Sequence, residues 1–196
     1  MEFNDGLIPS KSIDVLNLTL NSIIVKAVRL VDEPIEVLMS DYDIPETDIF
    51  SLAPGPLLLY LSNGGIVGLN SIPQLCSLLV WLERSTDGQC NPYTDLLADP
   101  LVFPVQMNHS DFSSEIFHDF TGRKIIGWKV FQEAPRTARF QDLPRESAVC
   151  LVMEGGRELF FVHGLHDNSD DFAVIQWEGI LPEFKNKLVP VKISNS

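Results

Sequence analysis

The histidines and aspartates between residues 163 and 171 have the spacing closest to that of a catalytic or metal-binding cluster. His163 and His166 form a His-x-x-His pair, which Asp167, Asp170 and Asp171 follow. Imidazole and carboxylate groups are common zinc ligands, but such a pair needs a helix or a further fixed ligand to direct both rings at one ion. This pair begins a Gly-, Asn- and Asp-rich stretch after an apolar run, which favours a turn. A metal-dependent hydrolase that uses the pair is kept as an alternative.

No other residues have the spacing of a catalytic centre. His109 and His118 flank a serine-rich stretch, but nothing there marks a serine as a nucleophile in a strained turn. The glycine pairs at 64–65 and 155–156 each join two apolar runs, and neither is followed by the lysine and helix of a phosphate-binding loop. We therefore expect a protein without catalytic residues, bound metal or cofactor.

The charge of the chain indicates which partners it can bind. It contains 14 basic and 27 acidic side chains, for a formal net charge of −13. Such a surface repels nucleic acid and anionic membranes and attracts a basic protein. The excess lies mainly in residues 1–100, which carry a net charge of −10, against −3 for residues 101–196.

The acidic residues are densest between residues 32 and 48, which we call the acidic segment. It contains seven carboxylates, no basic residue and one tyrosine, namely Asp32, Glu33, Glu36, Asp41, Tyr42, Asp43, Glu46 and Asp48. Ile44, Ile49 and Phe50 supply apolar side chains within or beside it. An exposed acidic loop with apolar anchors is typical of a surface that binds a basic protein, and these eight residues are the predicted partner-binding site. The alternative is a solvated loop whose apolar residues face the core.

Two apolar hairpins indicate the fold. Residues 146–162 contain two apolar runs separated by a glycine pair, and residues 56–69 contain a similar arrangement. Glycine pairs supply the positive φ angles of tight hairpin turns, and continuous apolar arms indicate strands covered on both faces. The class expected is α+β, mainly β. Residues 13–20 fit either a strand or a helix, whereas residues 71–83 fit a helix slightly better than a buried strand.

The order of the elements is the same in both halves and predicts an internal duplication. Residues 20–29 match residues 122–131 at an offset of 102, which pairs Ile23 with Ile125 and Val28 with Val130. A polar loop and then a glycine-pair hairpin follow in each half, with the two glycine pairs offset by 91. The expected organisation is a β-rich half at 1–88, a connector at 89–115 and a second β-rich half at 116–196. The loop of the second half carries three arginines, at positions 136, 139 and 145.

The remaining features are those expected of a cytoplasmic protein. Cys76, Cys90 and Cys150 are widely spaced and predict neither disulfides nor a metal site. The first residues lack the basic and apolar regions of a secretory signal. No apolar run approaches the roughly 20 residues that cross a bilayer.

In general character the chain resembles the immunity proteins of bacterial contact-dependent growth inhibition and related polymorphic toxin systems. Those proteins are typically small, acidic, cytosolic and non-catalytic, and the resemblance rests on these properties rather than on a diagnostic motif. It implies that the chain binds and neutralises a basic toxin domain, such as a nuclease. The alternatives are the metal-dependent hydrolase and a chaperone or adaptor for a basic secreted protein.

Overall fold

The computed structural model describes residues 5–90, 102–135, 138–167 and 169–192. Over these residues the chain forms ten β-strands in two antiparallel sheets, five α-helices of no more than seven residues and several 3₁₀ turns. The mainly β, α+β class is thereby confirmed. The helices are α1 (Ile13–Thr19), α2 (Ile35–Asp41), α3 (Ile49–Leu52), α4 (Glu115–His118) and α5 (Pro182–Lys185).

The two sheets share one topology. In the described part of the chain the first sheet has the order β4-β3-β2-β1-β5 and the second the order β10-β6-β7-β8-β9. Each is a four-strand meander whose first strand also pairs with a fifth, later strand. The strands of the first sheet are β1 (Ile24–Val31), β2 (Leu57–Leu61), β3 (Ile66–Ile72), β4 (Ser77–Arg84) and β5 (Phe103–Gln106). Those of the second are β6 (Ile125–Glu133), β7 (Ala148–Met153), β8 (Glu158–His163), β9 (Phe172–Ile175) and β10 (Leu188–Pro190).

The register of the strands corrects the expected match between the halves. The pairing of β1 with β2 shifts just after Ile24, and that of β6 with β7 shifts just after Ile125. Ile24 is therefore equivalent to Ile125, an offset of 101 rather than 102. In the hairpins, Leu61 and Met153 occupy the same position, and Gly64 overlies Gly156 rather than Gly155. A common origin of the halves stays a prediction.

Backbone hydrogen bonds join the two sheets where β1 and β6 begin. The N–H groups of Asn21 and Gly122 donate to the carbonyls of Ile125 and Ile24, at 2.9 and 2.8 Å. Asn21 and Gly122 are equivalent at the offset of 101, and both have a positive φ, 62° and 84°. A glycine, or an asparagine whose short side chain tolerates this region, suits such a position. The halves thus meet across a local twofold relation.

The inner faces of the two sheets form one core. In β2, Leu57, Leu59 and Leu61 point inward, and in β7 Val149, Leu151 and Met153 do the same. The intervening residues point outward, where Leu58 packs with Trp81 and Leu7 on the first sheet. On the second sheet, residues of the C-terminal segment such as Ile180 and Phe184 cover the outer face. Both faces of each hairpin are therefore covered, as their continuous apolar arms predicted.

The structure decides the two segments whose type was open. Residues 13–19 form α1. Residues 77–84 form β4, so the helix favoured for 71–83 is wrong. A 3₁₀ turn at Pro73–Leu75 and the left-handed Cys76 reverse the chain, and β4 then pairs along the length of β3. Leu78 and Val80 enter the shared core, while Leu79 and Trp81 face outward. Because both faces of β4 are buried, its apolar residues have a spacing that also fits a helix.

The predicted connector, residues 89–115, contains a strand of the first sheet. Phe103–Gln106 forms β5 and pairs with β1, whereas residues 91–101 lie outside the described residues. Further along, Met107 is fully buried in the shared core. The part of the connector that the structure describes therefore packs against the first half.

Candidate functional site

The acidic segment is a short helix followed by a turn rather than an open loop. Pro34 precedes α2, whose residue Leu38 is fully buried, and Pro45 precedes a 3₁₀ turn at Glu46–Asp48. Asp32, Glu36, Asp41, Asp43 and Glu46 are exposed, and Glu33 and Asp48 are half-buried. Tyr42 is also exposed, at 53 %. The apolar anchors Ile49 and Phe50 lie in the core, which holds the acidic face toward solvent.

A buried arginine holds the backbone that directly follows the acidic segment. Arg29 of β1 is fully buried, and its Nε, Nη1 and Nη2 donate to the carbonyls of Phe50, Gly55 and Ser51, at 2.9–3.0 Å. Its guanidinium also lies 4.5 Å from the ring centre of Phe172 in β9. Burial lowers the pKa of Arg29 to about 9, so the group remains charged at neutral pH. Two of these charge-assisted bonds fasten α3 to the first sheet, and the third fastens the turn at Gly55. The contact with Phe172 places the guanidinium against the second sheet.

This attachment creates a groove between the acidic segment and the loop that joins β8 to β9. Tyr42 and Asp43 contribute from the first half, and Asp167 and Asp171 from the second. The groove has a volume of about 380 Å³ and is lined by Tyr42, Asp43, Ile44, Leu52, Pro54, His166, Asp167 and Asp171. We call it the acidic groove. Among these lining residues there are three carboxylates and neither lysine nor arginine.

The histidine in the groove does not neutralise the carboxylates. His166 Nε2 lies 3.3 Å from Asp167 Oδ2, yet burial lowers the pKa of His166 and outweighs the attraction of Asp167 and Asp171. Burial by itself raises the pKa of Asp167, but hydrogen bonds from Ser169 and the neighbouring His166 hold that pKa below its ordinary value. At neutral pH the groove therefore combines neutral imidazole with ionised carboxylate.

The two histidines of the predicted cluster face different spaces. His166 lines the acidic groove, whereas His163 lines a separate cavity together with Asp170. Within the described ranges, no three His, Cys, Asp or Glu side chains come together as a potential metal-binding group. His163 is the last residue of β8 and His166 lies in the turn that follows, so the pair opens a turn after a strand, as its glycine- and aspartate-rich context predicted.

The groove contains part of the predicted site and adds residues that were not assigned to it. Of the eight predicted residues, Tyr42 and Asp43 line it, while Asp32, Glu33, Glu36, Asp41, Glu46 and Asp48 lie outside its lining. In the sequence, His166, Asp167 and Asp171 form part of a polar cluster whose spacing suggests metal ligands and not a binding groove. Nothing in their spacing connects them with Tyr42, more than 120 residues earlier, because the packing of α3 on β9 brings the segments together.

Comparison with known proteins gave no relative: no family model, curated protein or solved structure matches the chain. None of the helices in the described residues is long and apolar enough to cross a membrane.

Proposed function

We propose that this chain is a non-catalytic binding protein whose acidic groove receives a lysine or arginine side chain of a basic protein. The best specific candidate for that protein is a bacterial toxin domain, which makes the chain an immunity protein. One observation supports this function: three carboxylates from both halves of the chain line one groove together with an exposed tyrosine.

The walls of the groove suit both parts of a long basic side chain. Ile44, Leu52 and Pro54 offer apolar surface to an aliphatic stem, which lysine and arginine commonly bury while their charge stays in a polar setting. Asp43, Asp167 and Asp171 offer acceptors for the cationic head, and the Tyr42 ring can contact the cation by its face. An anionic or wholly apolar ligand has no such complement here.

The charge of the molecule supports rapid encounter with a basic partner. The formal net charge of −13 attracts a basic domain at long range, and exposed Asp41 and Glu46 extend the negative surface beside the groove. Electrostatic steering of this kind raises association rates and weakens as salt increases, with a screening length of about 10 Å at 0.1 M.

The test is the effect of neutralising the groove on binding. The triple variant Asp43→Asn, Asp167→Asn, Asp171→Asn retains the size of each side chain, and asparagine tolerates the left-handed φ of 55° at Asp43. If each partly exposed ion pair contributes about 0.5–1 kcal/mol, the triple variant should bind roughly ten- to a hundredfold more weakly. The measurements are calorimetric titration with the basic domain that a pull-down and mass spectrometry identify as the partner, and growth rescue when both are expressed together.

The control neutralises three exposed glutamates elsewhere on the surface. Glu115→Gln, Glu154→Gln, Glu178→Gln changes the net charge by the same amount and leaves the groove intact. Equal weakening by both triple variants would show that only overall charge matters and would contradict the groove as the binding site. A bound partner that keeps its toxic activity would instead identify the chain as a chaperone or adaptor.

A further inference from the structure

The cavity beside His163 contains an arginine in an unusual backbone and side-chain setting. Arg145 precedes β7 with φ at +53°, a left-handed conformation that is uncommon for residues other than glycine. Its N–H donates to Leu75 O at 3.4 Å, and its carbonyl accepts from Glu133 N and Ser147 Oγ, each at 3.0 Å. Such strained residues concentrate at functional sites, where the surrounding structure imposes their conformation.

The guanidinium of Arg145 is buried but only partly satisfied. Its side chain is 6 % exposed, Nη2 lies 3.0 Å from Glu133 Oε2, and the group stacks 5.6 Å from the ring centre of Phe140. Nε and Nη1 have no hydrogen-bond partner in the part of the chain that the structure describes. A buried charged donor without a partner costs about 1–3 kcal/mol or more, so these two groups indicate an unfilled acceptor position.

A second buried group with the same property faces the cavity. His163 is 6 % exposed, and its Nδ1 also lacks a partner among the described residues. Its Nε2 lies 3.8 Å from Asp170 Oδ1, whose side chain is 75 % exposed at the rim. The cavity has a volume of about 110 Å³, so it fits only a small ligand.

The cavity therefore has a donor side and an acceptor side. Arg145 provides charged donors in its interior, and the Asp170 carboxylate provides a negative charge at its rim. A simple anion would meet repulsion from Asp170 and Glu133, whereas a simple cation would leave the Arg145 donors unsatisfied. A ligand with a carboxylate at one end and an ammonium group at the other satisfies both sides.

We propose that this cavity binds a small zwitterionic α-amino acid, of the size of glycine or alanine, with its carboxylate on Arg145 and its ammonium group on Asp170. The site is separate from the acidic groove, because His163 and Asp170 lie on its lining while His166, Asp167 and Asp171 line the groove. Amino-acid binding in this cavity does not require the protein partner of the acidic groove.

The test titrates glycine and L-alanine into the full-length protein in the millimolar range. Calorimetry should detect binding, and the melting temperature should rise by roughly 3–5 °C at about ten times the Kd. Acetate, inorganic phosphate and methylammonium are the matched single-charge probes and should have much smaller effects. An equal effect of acetate or phosphate would overturn the role of the ammonium group, and no binding of either amino acid would overturn the site.

Two variants locate the binding. Arg145→Lys keeps the charge but loses the guanidinium fork, and it should weaken glycine binding at least tenfold. The matched control is Arg139→Lys, an exposed arginine on the same segment, which should bind glycine normally.

If Arg145→Lys fails to fold, the variant Asp170→Asn tests the site, because this exposed side chain can change without loss of the core. It should weaken glycine binding roughly two- to fivefold and acetate binding not at all. Unchanged glycine binding in Asp170→Asn would contradict the proposal.

Discussion

Two histidines, one at the end of β8 and one in the loop that follows, are kept neutral by burial in spite of nearby carboxylates. Burial lowers the pKa of His163 more than Asp170 and Asp171 raise it, and the same balance lowers the pKa of His166. In the unfolded chain both imidazoles titrate near pH 6.5. Between that pH and the lower folded-state pKa values, the unfolded chain binds more protons than the folded one.

Stability should therefore fall as the solution is acidified below about pH 6.5. The contribution of neutral His163 and His166 is fully present above that pH and is lost as the pH falls through their folded-state pKa values. Urea unfolding at pH 7, 6 and 5 should show a declining free energy of unfolding. The double variant His163→Gln, His166→Gln should flatten this decline, and an unchanged slope would show that other groups cause it.

At the residue scale, the sequence was informative about exposure but not about neighbours. A run of acids without a basic residue must face solvent, and five of the seven carboxylates in the acidic segment are exposed. The sequence presents Arg145 only as one of three arginines in a polar loop, whereas in the structure it is buried against Glu133 and Phe140. Its burial depends on contacts with segments 12 residues earlier and 70 residues earlier, which no local pattern contains.

At the element scale, a glycine and a tryptophan fix the pairing of β3 with β4. Gly68 lies opposite Trp81, and the indole covers the glycine so closely that a Cβ there would lie 2.1 Å from the ring. Trp81 is 6 % exposed, and its Nε1 donates to Glu83 Oε2 at 2.7 Å. A movement of the ring away from Gly68 would therefore disturb a buried hydrogen bond.

Gly68→Ala should destabilise the protein by about 1–3 kcal/mol, the usual cost of overpacking a core. Gly127→Ala is the matched control in β6, because a Cβ there meets only Val152 at an ordinary 3.8 Å. That control should be neutral or slightly stabilising, since alanine restricts the unfolded chain. Urea denaturation of both variants provides the comparison, and equal stabilities would show that the Trp81 ring adapts.

The hairpins were predictable at this scale, and β4 was not. A glycine-containing turn between two apolar runs predicts a β-hairpin from local sequence alone, so β2–β3 and β7–β8 could be predicted. Residues 71–83 had apolar side chains on positions that suit both a helix and a strand covered on two faces. Only the pairing with β3 and the left-handed φ of Cys76 distinguish the strand from a helix. Neither feature can be recognised in a short stretch of sequence.

At the scale of the whole molecule, the two sheets depend on each other. Their inner faces form a single core that includes Leu59 from the first sheet and Leu151 from the second. Neither sheet could expose that face to water without losing about 25 cal/mol for each Å² of apolar area. The acidic groove is lined by residues of both halves, so the proposed binding site forms only when the two sheets pack together.

We expect a single cooperative unfolding transition for both sheets. Native-state hydrogen exchange should give the same opening free energy, within about 1 kcal/mol, for the most protected amides of β2 and β7. Coincident loss of signals from both sheets in urea would support this. Two separated transitions, or one sheet that opens well before the other, would contradict a shared core.

The hydrogen bonds between residues 21–24 and 122–125 also have a consequence for biosynthesis. During translation, β1 to β4 leave the ribosome while the segment that completes the junction has still to be made. At roughly 5–20 residues per second, the inner face of the first sheet waits several seconds for the second. During that time it is an exposed apolar surface with no native cover, and early chaperone contact with nascent chains is expected to concentrate there.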